Sequence, residues 1–169
     1  MLAYDIFPTP DGPAAVVLGP RGLLRVVLPG RSGAALRRIL GRDHPGARRD
    51  PAACRAAARW VRAALRGGAG SYPGRIDASE WSGFQRRLYA SLRRVRAGGT
   101  TTYGELARRA GSPGGARAAG RALGANPAPL AVPCHRVVAG DGSLGGFSAA
   151  GGTAFKAILL RREGVESVH

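Results

Sequence analysis

The amino-acid sequence predicts a mixed α/β protein in two parts, and three observations lead to this prediction. Short apolar runs separated by turn residues occupy the first thirty positions, as in a small antiparallel sheet. Alanine-rich and amphipathic stretches with helical spacing occupy most of the remaining chain. A glycine-rich segment runs from residue 67 to about residue 79. We therefore expect an N-terminal α/β domain, 1–78, and a mainly helical C-terminal domain, 79–169.

The N-terminal part is predicted to contain three strands and two helices. They are expected at residues 4–7, 14–18, 23–28, 34–40 and 51–66. The sequence Gly-Pro-Arg-Gly at 19–22 favours a tight turn between the second and third strands. The alanine content of 51–66 favours helix, and one face of that helix gathers Cys54, Ala58, Val61 and Leu65. Cys54 is therefore interpreted as a small core residue rather than a reactive thiol.

Two capping boxes mark the first helices of the C-terminal part. The sequence Ser-Gly-Phe-Gln at 82–85 predicts a helix whose apolar face includes Val95 and which ends at Gly98-Gly99. The sequence Thr-Tyr-Gly-Glu at 102–105 predicts a second, shorter helix that runs to about Ala110.

The helix that follows has features of a DNA-binding element. Ser112 and Pro113 are typical of an N-cap and a first helical position, so we expect a helix from there to Leu123. Two short helices joined by a tight turn are a helix-turn-helix candidate. Seven of the ten residues at 114–123 are glycine or alanine, so this helix can approach another surface closely. The projecting Arg117 favours the minor groove or a wedge between bases, and the alternative is a tight helix–helix contact inside the protein.

The end of the chain is predicted to be a glycine-rich loop followed by a helix. The loop, residues 140–152, is expected to be mobile or tightly turned. The helix is expected over 153–162 and ends at Glu163-Gly164. Its inward-facing residues are expected to be Phe155, Ile158 and Leu159.

The charge of the chain points to a polyanionic partner. The net charge is +16, and 25 of the 26 basic residues are arginine, Lys156 being the exception. Such a surplus attracts polyanions, of which nucleic acid is the commonest. Codon bias in a GC-rich genome also produces arginine, alanine and glycine, so the charge needs a second signal.

The composition also predicts a cytoplasmic location. No apolar run reaches membrane-spanning length, and the first residues lack the pattern of a secretory signal. Two cysteines imply no disulfide framework, which fits a reducing compartment. The histidines and cysteines lack the spacing of a zinc site, so no metal is expected.

The sequence Pro-Cys-His-Arg-Val-Val at 133–138 is the strongest candidate for chemistry. Apolar residues on both sides predict that it is buried. The thiolate is the nucleophilic form of cysteine, and a neighbouring imidazole can accept the thiol proton. Cys134 is therefore the candidate nucleophile, with His135 as its base.

These residues resemble the O6-alkylguanine-DNA alkyltransferases. The similarity covers about residues 79–164 closely and the N-terminal part loosely, through Pro10-Asp11-Gly12 and Gly22-Leu23. Besides 133–137, the residues that carry it are Phe84-Gln85, Thr102 to Ala107, Arg117-Ala118, Asn126-Pro127, Lys156, Leu159-Leu160 and Glu163-Gly164.

The resemblance implies direct reversal of DNA damage. An alkyl group, such as methyl, would move irreversibly from O6 of guanine, or from O4 of thymine, in duplex DNA to Cys134. The damaged base would be flipped out of a duplex held through its minor groove. The protein would be consumed once, because a thioether has no good leaving group. The resemblance further implies a ribonuclease-H-like N-terminal domain, a C-terminal helix-turn-helix, no cofactor and a monomer, with cooperative binding along DNA left open.

The resemblance also assigns roles to individual residues. Cys134 is the nucleophile, His135 takes its proton through a water, and Glu163 orients the imidazolium. Tyr103 hydrogen-bonds the guanine ring and supplies a proton as guanine leaves. Arg117 fills the gap left by the flipped base. The other DNA-contacting residues are Gly115, Ala116, Ala118, Gly120 and Thr102.

Four further residues are expected at the substrate pocket. The backbone carbonyls of Cys134 and Val137 would read the exocyclic amine of guanine, and the amide near Ser148 would meet O6. Phe147 stands at the pocket wall where many members of the family carry tyrosine, and the loop after it looks about two residues longer than usual. Asn126 would tie the helix-turn-helix to the cysteine segment.

Three other functions remain as alternatives. A non-catalytic sensor of alkyl lesions would be related to the same family, but such relatives replace the cysteine. A helix-turn-helix regulator would want longer polar side chains on its recognition helix. A thiol hydrolase would turn over small esters without DNA.

Overall fold

A four-stranded sheet forms the centre of the N-terminal part in the computed structural model, which describes residues 1–167. Its strands are β1 (Ala3–Phe7), β2 (Ala14–Gly19), β3 (Gly22–Val27) and β4 (Arg48–Arg49), in the order β3-β2-β1-β4. The three predicted strands are confirmed and pair antiparallel. β4 pairs parallel with β1, and the sequence did not reveal it because two exposed arginines show no apolar alternation.

The two N-terminal helices cover opposite faces of this sheet. They are α1 (Gly33–Asp43) and α2 (Pro51–Leu65). Because side chains alternate along a strand, Ala15 and Val17 of β2 pack with Leu36 and Leu40 of α1, whereas Val16 faces the opposite side. The predicted buried stripe on α2 is confirmed, since Cys54, Ala58, Val61 and Leu65 are all buried.

The apolar core on the α2 side is shared by both parts of the chain. Val16 and Leu23 of the sheet and Val61 of α2 belong to one buried cluster with Leu130 and Phe155 from the C-terminal part. The segment between the parts also continues the sheet edge, because the Leu23 amide donates to the Arg75 carbonyl (2.8 Å). The boundary near residue 78 stays a prediction, and a continuous core crosses it.

The C-terminal part is mainly helical. Its elements are α3 (Gly83–Leu92), β5 (Thr101–Thr102), α4 (Tyr103–Arg109), α5 (Ala116–Gly124), β6 (Val137–Val138) and α6 (Gly152–Arg162). A second core forms where Leu88 and Leu92 of α3 meet Leu106 of α4, Leu123 of α5 and Val137 of β6. The mixed α/β class predicted from the sequence is therefore confirmed. No helix in residues 1–167 is both long enough and apolar enough to cross a membrane.

Two predictions about α3 and α4 need correction. The first capping box is complete, with Ser82 and Gln85 bonding each other's backbone amides. However, α3 ends at Leu92, and Val95 lies in a following turn whose amide bonds the Leu92 carbonyl. The second box is only half formed: Thr102 Oγ1 accepts from the Glu105 amide (3.2 Å), while the Glu105 carboxylate pairs with arginines of α4.

The start of α5 was predicted wrongly. Ser112 does not cap the helix; its carbonyl accepts the Gly115 amide (2.9 Å) in a turn. Gly114 has a φ of +78°, a left-handed conformation that interrupts a right-handed helix. The helix therefore begins at Ala116, with Gly115 as its N-cap.

The inward face of α6 also differs from the prediction. Phe155 and Leu159 are buried as expected, but Ile158 is 37% exposed. Lys156 and Leu160 are fully buried instead. Spacing alone did not identify this face, because its buried set includes a charged residue.

Candidate active site

Cys134 lies in a single 3₁₀ turn, Cys134–Arg136, between Pro133 and β6. The turn is closed by the Arg136 amide, which donates to the Pro133 carbonyl (3.0 Å). β6 pairs in parallel with β5, so Thr102 lies opposite Val138. Because Tyr103 follows directly, this short pairing brings Tyr103 to the same cavity as the cysteine.

Asn126 connects the end of α5 to the cysteine segment. Its Nδ2 donates to the Val132 carbonyl (2.9 Å), and its Oδ1 accepts from the Ala128 amide (3.0 Å). Within the described chain, the intervening Leu130 is the only non-glycine residue with a positive φ, at 72°. The side chain of Asn126 and the surrounding buried core therefore stabilise the left-handed backbone conformation in the segment that precedes Cys134.

A cavity of about 500 Å³ opens at the thiol. It is lined by Tyr103, Gly120, Leu123, Gly124, Cys134, Gly146, Phe147 and Ser148. A second cavity of about 400 Å³ adjoins it and adds Asn126 and residues of β3 to the wall. The predicted pocket residues Phe147, Ser148 and Asn126 therefore all lie beside Cys134. Val137 lines neither cavity, because its side chain is buried in the core.

His135 and Glu163 form a buried pair. His135 Nε2 lies 2.9 Å from Glu163 Oε1, and the two side chains are 2% and 5% exposed. Burial lowers the pKa of His135, although the carboxylate opposes that shift. Burial would raise the pKa of Glu163, but its hydrogen bonds with His135 and Arg136 lower it to about 2. At neutral pH the pair is therefore an imidazole beside an ionised carboxylate.

Arg136 completes this pair, and sequence reasoning gave it no role. Its Nε and Nη2 donate to the two Glu163 oxygens (3.0 and 2.8 Å), and its Nη1 donates to the Val95 carbonyl (2.7 Å). A charged side chain inside an apolar run must find a buried partner, which was the available signal. The identity of that partner depends on packing between residues 27 positions apart.

Lys156 is the second residue whose role the sequence did not reveal. This lysine is fully buried. Its Nζ donates to the carbonyls of Val137 (2.5 Å) and Gly146 (3.1 Å), and thus ties the cavity loop to β6. Burial lowers its pKa to about 8, with a charged Cys134 acting in the opposite direction.

The Cys134 thiol and the Tyr103 phenol at the cavity are both neutral at rest. Burial raises the pKa of the Cys134 thiol, against the effects of the Asn126 hydrogen bond and the Lys156 charge. Burial also raises the pKa of Tyr103, whose hydroxyl lies 3.4 Å from the Gly146 carbonyl. Forming a thiolate here therefore requires a base, and the Tyr103 hydroxyl keeps its proton.

The predicted DNA-contacting residues lie mostly on α5. Gly120 reaches the cavity wall, and Arg117 lies one turn earlier with an exposed side chain. In the part of the chain that the structure covers, Arg117 takes part in no ion pair. Ala116 and Ala118 are half-buried on the same helix. Gly115 stands just outside it as the N-cap, and Thr102 is engaged in capping α4.

Sequence comparison identifies relatives of the C-terminal part. Residues 83–165 match the family described as 6-O-methylguanine DNA methyltransferase, DNA binding domain. A methylated-DNA–protein-cysteine methyltransferase of Salmonella typhimurium is 49% identical over 81 residues, which are 48% of this chain and 46% of that protein. The chain spans about half the length of the curated relatives it matches.

Structural comparison extends the likeness to nearly the whole chain. Mycobacterium tuberculosis OGT, solved in complex with DNA, superposes with a TM-score of 0.79 at 30% identity, covering 96% of this chain and 93% of that one. The O6-methylguanine-DNA methyltransferase of Pyrococcus kodakaraensis gives a TM-score of 0.69 at 25% identity, covering 98% and 100%.

Proposed function

The chain belongs to the O6-methylguanine DNA methyltransferase family, and we propose that it repairs alkylated DNA by direct reversal. An alkyl group on O6 of guanine, or on O4 of thymine, moves to the sulfur of Cys134. The observation that carries the proposal is the placement of one partly buried thiol at a 500 Å³ cavity beside Tyr103. The residue after Cys134 is His135, which forms a buried pair with Glu163.

The first step is removal of the thiol proton. Because burial raises the pKa of Cys134, the resting thiol is protonated. His135 accepts the proton through a water, and the ionised Glu163 stabilises the imidazolium that results. The Asn126 hydrogen bond and the Lys156 charge stabilise the thiolate while it exists.

The second step is transfer of the alkyl group. The thiolate attacks the alkyl carbon, a carbon–sulfur bond forms, and the bond from carbon to O6 breaks. The electrons of that bond move onto guanine, and Tyr103 donates a proton to the ring as it leaves. Burial raises the pKa of Tyr103, so the hydroxyl is protonated before the reaction and has a proton to donate.

The DNA is double-stranded and is held through its minor groove by the helix-turn-helix, α4 and α5. The small residues of α5, which include Ala116, Ala118 and Gly120, let the helix approach the duplex closely. Arg117 occupies the space left by the flipped base. Gly115 and Thr102, at the starts of the two helices, complete the contact surface.

The bound base is read by the backbone around the cavity. The carbonyls of Cys134 and Val137 face the exocyclic amine, and the amide near Ser148 meets O6. The Val137 carbonyl also accepts from Lys156, so Lys156 fixes its direction. Phe147 forms an apolar wall without a hydroxyl.

We further expect that the protein is cytoplasmic, that it is a monomer and that it needs no cofactor. A monomer is expected because every proposed role is filled by residues of one chain. Cooperative binding along DNA stays the alternative.

The proposal is tested by turnover. The protein is mixed with a fivefold excess of a duplex that carries one O6-methylguanine, beside Cys134→Ala. Repair should stop after one equivalent of lesion per protein, the intact protein should gain one methyl group, and the variant should bind the duplex without repairing it. Tight lesion binding without any gain in mass would indicate a sensor instead, and repeated turnover would contradict a single-use thiol.

A further inference from the structure

Arg136 lies in the buried cluster that surrounds the proposed base. It donates two hydrogen bonds to the Glu163 carboxylate and a third to the Val95 carbonyl. The Glu163 Oε1 atom therefore receives Arg136 Nη2 at 2.8 Å and faces His135 Nε2 at 2.9 Å. Two-point binding by a planar guanidinium fixes both the position and the orientation of a carboxylate.

Arg136 does not face the substrate. The two cavities at Cys134 are lined without Arg136, His135 or Glu163. These three residues instead line a separate cavity of about 20 Å³, and the Arg136 side chain is only 13% exposed. Any effect of Arg136 on the reaction must therefore pass through Glu163 and His135.

The charges around His135 oppose one another. The Glu163 carboxylate on α6 favours the imidazolium. Arg136 and Lys156 disfavour it, and Arg93 lies at the same small cavity. Cys134 precedes His135 and becomes negative only during the reaction. The Glu163 carboxylate lies between Arg136 and His135. The positive charge of Arg136 therefore offsets part of the negative charge of Glu163, which would otherwise stabilise a protonated His135.

We propose that Arg136 is a positioning residue that holds Glu163 against His135 and keeps the imidazole unprotonated in the resting protein. His135 is then free to accept the Cys134 proton. The inference rests on the proposed function, because it assigns Arg136 a part in the same proton transfer. Loss of the positive charge of Arg136 should allow His135 to become protonated at a higher pH.

Arg162 offers a matched control in the same helix region. It also donates two hydrogen bonds to a carboxylate, Asp11 (2.7 and 2.8 Å), and one to a backbone carbonyl, that of Leu65 (2.9 Å). Its carboxylate partner does not contact His135. Replacing Arg162 therefore removes a similar set of bonds without altering the charges at the base.

The experiment compares wild type with Arg136→Met, Arg136→Lys and Arg162→Met. The rate constant for transfer from free O6-benzylguanine is measured across pH, and the His135 ring is titrated by NMR in unreacted protein. In Arg136→Met the acid limb of the rate profile and the His135 pKa should both rise by about one to three pH units, the usual effect of a charge within about 4–6 Å. Arg136→Lys should move them much less, and Arg162→Met should leave them in place.

The outcomes separate the two proposals. An Arg136→Met protein with wild-type profiles overturns the positioning role, as does an equal shift in Arg162→Met. If Arg136→Met does not fold, Arg136→Gln removes the charge while retaining a donor and is judged by the same criteria. If wild type is not alkylated at all, the proposed function fails, while the NMR titration still tests the effect of Arg136 on His135.

Discussion

The two cysteines of this chain have opposite environments. Cys54 is fully buried in α2, and burial together with Asp5 and Asp50 raises its pKa to about 11. Cys134 borders a cavity, where the Asn126 hydrogen bond and the Lys156 charge oppose the effect of burial. A thiolate can therefore form and meet a substrate only at Cys134.

Arg117 permits a prediction that separates base flipping from chemistry. Arg117→Ala should slow repair in duplex DNA by roughly tenfold to a hundredfold, because unstacking a base costs a few kcal/mol. Reaction with free O6-benzylguanine, which needs no flipping, should be unchanged. Single-turnover rates with both substrates provide the measurement.

The matched control for Arg117 is Arg55→Ala, an exposed arginine on α2. It removes the same charge far from the proposed contact surface. Equal losses with both substrates for Arg117→Ala, or an equal loss for Arg55→Ala in duplex, would refute the role of Arg117.

The sequence predicted these residues only in part. The motif around Cys134 and its resemblance to a family named His135, Glu163 and Asn126. Asn126 lies at a cavity beside the thiol, and Glu163 contacts His135, the residue after Cys134. Arg136 and Lys156 are also among the residues that carry the resemblance, but the sequence indicated no role for them. Their partners are carbonyls and a carboxylate from distant segments, which no local pattern specifies.

At the scale of elements, the end of α2 meets the end of α6. Gly67 follows α2 with a φ of +83°, and a Cβ there would lie 2.2 Å from the Arg162 carbonyl oxygen. Only glycine allows this approach. The next residue after Arg162 is Glu163, so the contact also supports the proposed catalytic carboxylate.

Gly67→Ala should therefore destabilise the protein by about 2 kcal/mol or more, through strain and overpacking against backbone. It should also slow transfer, because Glu163 would shift. Urea unfolding measures the first effect and a single-turnover assay the second. Gly68→Ala is the control, since a Cβ there meets nothing within 4 Å, and equal stability of the two variants would contradict this account.

Element boundaries show where local signals compete. The capping box at Ser82 and Gln85 fixed the start of α3 correctly. The start of α5 was misjudged because the Ser-Pro signal at 112–113 looked like a cap, whereas the left-handed Gly114 made it a turn. The sequence could not decide between these, since glycine is permitted in either conformation.

At the scale of the whole molecule, the shared core predicts cooperative unfolding. Phe155 and Leu159 of α6 and Leu130 pack into the same cluster as β2, β3 and α2. Separating the two parts would expose this surface to water. The glycine-rich segment after α2 suggested a linker and hence two separate domains. Amino-acid composition could not reveal the contacts that cross this segment.

The two tryptophans can test this cooperativity. Trp60 packs on Tyr72 in the N-terminal part, and Trp81 packs on Tyr89 in the C-terminal part. Trp60→Phe and Trp81→Phe each leave one fluorescent probe. Each variant's fluorescence transition in urea should coincide with its own transition followed by circular dichroism, whereas a probe that unfolds separately would indicate independent domains.

Isotopic labelling can identify the atom that accepts the alkyl group. The protein is reacted with an equimolar duplex containing O6-trideuteromethylguanine, then digested, and the label is located by tandem mass spectrometry. We expect one trideuteromethyl group on Cys134, none on Cys54, and an unmodified guanine in the recovered duplex. Label on any other residue, or a repaired duplex with an unlabelled Cys134, would contradict it.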